Sequence, residues 1–273
     1  MDDVRGTALP PPGRKRFRHG RRFGRCRVGG PVCGKRHLRA DVAGRIVGPD
    51  IALDRIAYAK SVDEVKTRPC MAALLPNEAG GYTCLVDTGA TIDCTSGQLH
   101  QFAHLGTKLM KKMYGIENPK VGLLSNGAEP TKGNHLVKET FPILAEDKEL
   151  NFVGNIEGNM ALSGDCDVLV CDGFAGNQVL KNTEGMAKRL IKDIVILSKK
   201  RNKPEFMEVA QYLMKTYDIS ALGGGMVLGS RKLIIKARGN SDERAILNIS
   251  KMLINYAKGD ALLTKEQREE ATR

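Results

Sequence analysis

Four short stretches hold the residue types that could do chemistry, and each one follows an apolar run. The first has Asp87, Thr88 and Gly89, and the second Asn126, Gly127, Thr131, Lys132, Gly133 and Asn134. The third has Asn155 and Glu157, and the fourth Asp172, Gly173, Gly176 and Asn177. Small residues let backbone N–H groups approach a ligand. Helix starts offer free N–H groups and a partial positive charge. Lysine is a point-charge partner for phosphate. Read singly, each stretch serves equally well as a turn or a helix cap. Read together, four such loops on one sheet edge point to a small oxyanion or phosphate site.

Other chemistries lack their residues. No G-x-G-x-x-G dinucleotide fingerprint follows a strand, and no Walker loop or G-x-S-x-G elbow occurs. His100 and His104 are four apart, but Gln101 stands where a zinc protease needs Glu, so they read as a half-exposed helix face. Cys166 and Cys171 bracket a strand and read as buried thiols. No metal and no cofactor is expected, and any reaction would rest on positioning and electrostatics.

The elements that must hold these loops follow from periodicity. Apolar runs at 83–87, 120–127, 151–154 and 166–172 predict strands. Helices are predicted at 96–114, at 134–146 with Pro142 kinking or shortening it, and at 176–199. Met186, Leu190, Ile191, Ile194 and Leu197 share one side of the last. Strand, loop and helix in repetition predict an open, mostly parallel α/β sheet with helices on both faces. Its ligands bind beyond the carboxyl ends of the strands. A helix at 205–216, a glycine bend at 222–225, a strand at 232–237 and a helix at 242–257 complete the pattern.

The net charge is +12, but residues 1–45 carry +10 of it and the remainder only +2. A nearly neutral body argues against a nucleic-acid partner, which needs a basic folded face. Residues 1–50 read as a separate Arg/Gly-rich segment, disordered or read out of frame, and residues 51–273 as the α/β domain. That segment lacks the amphipathic, Ser-rich character of a mitochondrial presequence. Cys26, Cys33, His19 and His37 lack the close Cys pair of a zinc finger. Seven cysteines form no paired framework, which reads as a reducing compartment. No apolar run approaches the roughly 20 residues of a membrane span. A cytoplasmic protein is expected.

The segments VGLLSNGAEPTKGN, NFVGNIEG and CDVLVCDGFAGNQVLKNTEG, in this order, closely resemble the phosphate acyltransferases of bacterial phospholipid synthesis (the PlsX family). VDTGATIDC, LGGGMVLG and IIKARGNSD are similar too, so the resemblance runs from Thr67 to Lys258. It implies a Rossmann-like cytosolic homodimer in peripheral contact with the membrane. Its members convert long-chain acyl groups on acyl carrier protein, plus inorganic phosphate, to acyl phosphate for glycerol-3-phosphate acyltransferase. On that reading Lys132 and Asn134 grip phosphate, with Asn126, Gly127, Thr131 and Gly133 around them. Asp172 orients the nucleophile or accepts its proton, and Gly173, Gly176 and Asn177 let backbone donors approach.

Departures set further expectations. The family's opening strand with its Gly-Gly-Asp loop, and its Gly-Asn/Ser-Thr-Gly-Ala loop, are not found, and Arg238 stands where His is usual. The chain is therefore expected to lack the first strands and to be weakly active or inactive. The alternatives are a remnant that dimerises or binds carrier protein without turnover, and a short-chain phosphotransacylase. The resemblance implies that helix 205–216 and the turn at Ile219–Leu222 touch the membrane. Periodicity alone favours core packing of Phe206, Val209, Leu213 and Tyr217.

Overall fold

The computed structural model describes residues 68–217, 224–229, 234–237 and 243–258. Residues 1–50, the turn at Ile219–Leu222 and Arg238 lie outside the described residues. Seven strands form one sheet in the order β4-β3-β5-β2-β1-β6-β7. They are β1 (Cys70–Pro76), β2 (Tyr82–Val86), β3 (Lys120–Ser125), β4 (Asn151–Glu157), β5 (Val168–Val170), β6 (Gly225–Leu228) and β7 (Ile234–Lys236). β4, β3, β5 and β2 pair in parallel. β1, β6 and β7 extend the sheet by antiparallel pairs. Five of the seven strands point one way, so the sheet is mostly parallel as expected. β1 and β6 are additions to the sequence reading, and β6 begins at Gly225, the last residue of the segment read as a glycine bend.

Five α-helices complete the described fold: α1 (Ser96–Tyr114), α2 (His135–Glu146), α3 (Gly173–Arg201), α4 (Glu205–Tyr217) and α5 (Glu243–Lys258). Helix α1 starts and stops where its sequence dictates. Thr95 and Gln98 form a reciprocal capping box, and Gly115 ends the helix in the left-handed region at φ 62°. Its Leu99, Phe102, Ala103, Met110 and Met113 enter the larger core, on one face of the sheet. Helix α2 runs through Pro142 to Glu146 without stopping. Leu144 beyond the proline is fully buried, and Phe141 packs edge-on to Phe152 at 5.2 Å, which holds the last turn in place. Among the described residues no helix is long and apolar enough to cross a membrane.

A smaller core lies on the opposite face, where Ala73, Leu75, Leu85, Leu169 and Leu180 meet. The first turns of α3 cover it, together with Ala161 and Leu162 from the segment after β4. Further along α3 the shared apolar side is partly exposed, with Met186 at 56% and Leu190 at 53%, while Ile191 and Ile194 are half-buried. The core packing expected of α4 is overturned. Phe206, Val209 and Tyr217 are exposed, Leu213 is half-buried, and Ala210 is the buried residue of that helix. These stripes face away from the sheet because α4 folds back along α3 rather than onto a strand.

Candidate functional site

Because β2, β3, β4 and β5 run in parallel, their carboxyl ends share one edge. The loop after β2 is built around Asp87. It is fully buried, and its carboxylate accepts N–H bonds from Met71 at 2.7 Å, Gly89 at 3.2 Å, Ala90 at 3.0 Å and Thr91 at 2.6 Å. Burial pushes its pKa up, and the four N–H donors pull it back. A carboxylate so enclosed is a clasp. It fixes the 87–91 loop against β1, where the Thr88 hydroxyl also donates to the Met71 carbonyl.

That loop lies against the start of α3. Gly173 N–H donates to the Thr91 carbonyl at 2.8 Å, and Asn177 Nδ2 donates to the Thr88 carbonyl at 3.1 Å. A Cβ at Gly176 would run into the Asp87 carbonyl oxygen, so only glycine permits this approach. Asp172 is the N-cap of α3, its Oδ1 accepting from Ala175 N–H at 2.7 Å. Gly176 N–H goes to the Asp172 carbonyl. In this turn the Phe174 N–H is the one that finds no acceptor among the described residues.

The loop after β3 prepares a second helix start. Asn126 Oδ1 accepts from Gly133 N–H at 2.8 Å, and Gly133 sits at φ 103°, where a side chain would also strike Val137. Asn134 caps α2, accepting from Val137 N–H at 3.0 Å. The His135 and Leu136 N–H groups are left without intrahelical partners. Gly127 is buried against the stem of Lys132. Lys132 and Thr131 are exposed, and no ion pair to Lys132 forms among the described residues.

Between the two helix starts lies a cavity of about 610 Å³. Asn126, Gly133, Asn134 and Asp172 are among its lining residues, with Gln178 as a further polar one, and Leu99, Leu123, Leu136, Val137, Phe174 and Val179 supply apolar lining. Of the residues singled out in the sequence, Asn126, Gly133, Asn134 and Asp172 therefore converge. Lys132, Thr131 and Gly127 stand in the loop beside the cavity, whereas Gly176 and Asn177 join α3 to the 87–91 loop. Asn155 lies within β4, where its Nδ2 donates to the Glu129 carbonyl at 2.8 Å and its Oδ1 is buried without a partner. Ser125 was not singled out from sequence, yet it lines the cavity with a buried hydroxyl that has no partner. A polar residue closing an apolar strand was the available signal. An unpaired hydroxyl and free N–H groups in a cavity with aliphatic lining suit an anion that carries an apolar chain.

The family model described as fatty acid synthesis protein matches residues 51–258. A phosphate acyltransferase from Campylobacter fetus is 37% identical over 218 residues, covering 77% of this chain and 64% of that protein. One from Brevibacillus brevis is 41% identical over 198 residues, covering 71% and 58%. The chain thus spans slightly less than two thirds of the length of these relatives. Among solved structures, a branched-chain phosphotransacylase from Enterococcus faecalis superposes with a TM-score of 0.49 at 16% identity, covering 78% of this chain and 72% of that one. The chain belongs to the fatty acid synthesis protein family, whose matched members are named phosphate acyltransferases.

Proposed function

We propose that the cavity between the α2 and α3 starts binds an acyl phosphate, and that the chain forms it from long-chain acyl-[acyl carrier protein] and inorganic phosphate. The observation that carries this reading is the pairing of two capped helix starts with aliphatic walls in one cavity. The His135 and Leu136 N–H groups, the Ser125 hydroxyl and Lys132 hold the phosphate. A phosphate oxygen attacks the thioester carbonyl, and the Phe174 N–H stabilises the oxyanion that forms. The C–S bond then breaks, and the carrier thiolate leaves. Asp172 commits one oxygen to its cap. The other takes a proton from phosphate or orients it. The acyl chain lies along Leu99, Leu123, Leu136 and Phe174. Phosphate is itself the nucleophile, so no covalent enzyme intermediate is required.

On the same reading the protein is a cytoplasmic homodimer that touches the membrane peripherally and hands its product to a glycerol-3-phosphate acyltransferase. The exposed apolar stripes of α3 and α4 support contact with a second copy or a lipid surface. The test is an acyl-phosphate assay with long-chain acyl carrier protein and phosphate, trapping product with hydroxylamine. Lys132→Ala and Asp172→Asn should each lower turnover by on the order of a hundredfold. A folded wild-type chain that forms no acyl phosphate would overturn the enzymatic reading.

A further inference from the structure

A second cluster of ligating side chains stands on the outer surface between α1 and α2. His100 and His104, one helical turn apart, present their imidazoles on the same side of α1. Both Nε2 atoms meet a single oxygen of Asp147, the residue that ends α2, at 2.6 Å from His100 and 2.8 Å from His104. The two rings stand edge to face at 4.9 Å. The other carboxylate oxygen accepts the Glu149 N–H at 2.8 Å, which fixes the carboxylate's orientation. One ligating atom from each of the three residues lies within 4.8 Å of the other two. None of the three lines the cavity at the α2 and α3 starts.

We infer that His100, His104 and Asp147 bind a divalent transition-metal ion such as Zn²⁺, tying α1 to the end of α2. Two imidazoles and a carboxylate are a ligand set that zinc accepts, with bonds of about 2.0–2.2 Å. Bonds of that length in tetrahedral geometry separate neighbouring ligand atoms by roughly 3.3 Å, so the two imidazoles need to part from the carboxylate by only about half an ångström. All three side chains are partly exposed, which leaves room for that movement and admits water as the fourth ligand. The Glu149 N–H is the outer partner that orients the ligating carboxylate. Imidazole suits zinc, copper and nickel, whereas calcium and magnesium prefer all-oxygen sites. The ion would act as a clip between two helices and take no part in the reaction, because its ligands stand outside the cavity.

The test uses the full chain, freed of metal by a chelator and titrated with Zn²⁺ against a chromophoric competitor. The wild type should show one site that His100→Gln, His104→Gln and Asp147→Asn each weaken at least tenfold. Co²⁺ in place of Zn²⁺ should give a d–d absorption band without thiolate charge transfer, lost in His104→Gln. Circular dichroism of each variant shows whether it is folded. His104→Gln removes no helix cap, so its result stands even if Asp147→Asn unfolds. Zn²⁺ binding that is unchanged in a folded His104→Gln variant overturns the inference, as does an absence of binding in the wild type. Co²⁺ spectra dominated by thiolate ligation would assign the metal to cysteines elsewhere and overturn it equally.

Discussion

The carboxyl edge of the parallel strands and the α3–α4 hairpin contrast sharply, although one helix belongs to both. At the edge nearly every group is committed. Asp87 gathers four N–H donors, Gly173 and Gly176 lie against the 87–91 loop, and Asn134 and Asp172 cap their helices. One turn after another along α3 the picture reverses, and Met186, Leu190 and Leu197 face solvent. The first region is specified by contacts within the chain. The second carries an amphipathic pattern whose apolar partner is not in the described residues. Apolar periodicity says that a face will be covered; it does not say by what.

Thiol reactivity gives the largest expected separation between the two regions. Burial pushes the thiols of Cys84 and Cys166 up to about 12. At pH 8 they should alkylate on the order of a thousandfold more slowly in the native chain than after unfolding. A thiol introduced on the hairpin by Leu190→Cys should react at nearly the unfolded rate. Peptide mapping by mass spectrometry reads each position separately, and equal rates would break the contrast.

Stability to denaturant separates the regions next. Gly176→Ala forces a methyl group onto the Asp87 carbonyl and should cost about 3 kcal/mol. Asp87→Asn replaces a carboxylate that accepts four N–H bonds and should cost about 2 kcal/mol. Asn134→Ala removes the α2 cap for about 1 kcal/mol, and should also raise the phosphate concentration needed for half-saturation. Leu190→Gln on the exposed hairpin stripe should change the stability of the isolated chain by no more than about 0.5 kcal/mol. A loss of several kcal/mol there, at protein concentrations where the chain is monomeric, would show that the stripe is covered within one chain.

Legibility followed the same division. Helix α1 was readable to its end residues because Thr95, Gln98 and Gly115 are local signals. The four parallel strands and their shared edge were readable from the strand–loop–helix rhythm. β1 and β6 were not, since antiparallel strands added to the side of a sheet interrupt that rhythm without a helix between them. At the site, Asn126, Asn134 and Asp172 were legible as polar residues after apolar runs. The unpaired Ser125 hydroxyl was not, because being without a partner is a property of the folded neighbourhood. Gly176 was legible as important but not in its role, since its partner Asp87 lies 89 positions earlier in the chain. The pairing of His100 and His104 with Asp147 was hidden for the same reason, with 43 positions between His104 and Asp147.

Binding of one acyl phosphate, its phosphate at the α2 start and its acyl oxygen at the α3 start, is the point on which the proposed function turns. Its most direct measurement is the amide NMR spectrum of the ¹⁵N-labelled chain, titrated with phosphate and then with a non-hydrolysable acyl phosphate analogue. Saturable shifts are expected at the His135 and Leu136 amides with phosphate, and additionally at the Phe174 amide and the aliphatic walls with the analogue. Saturable shifts at another place in the fold, with these three amides unmoved, would contradict it.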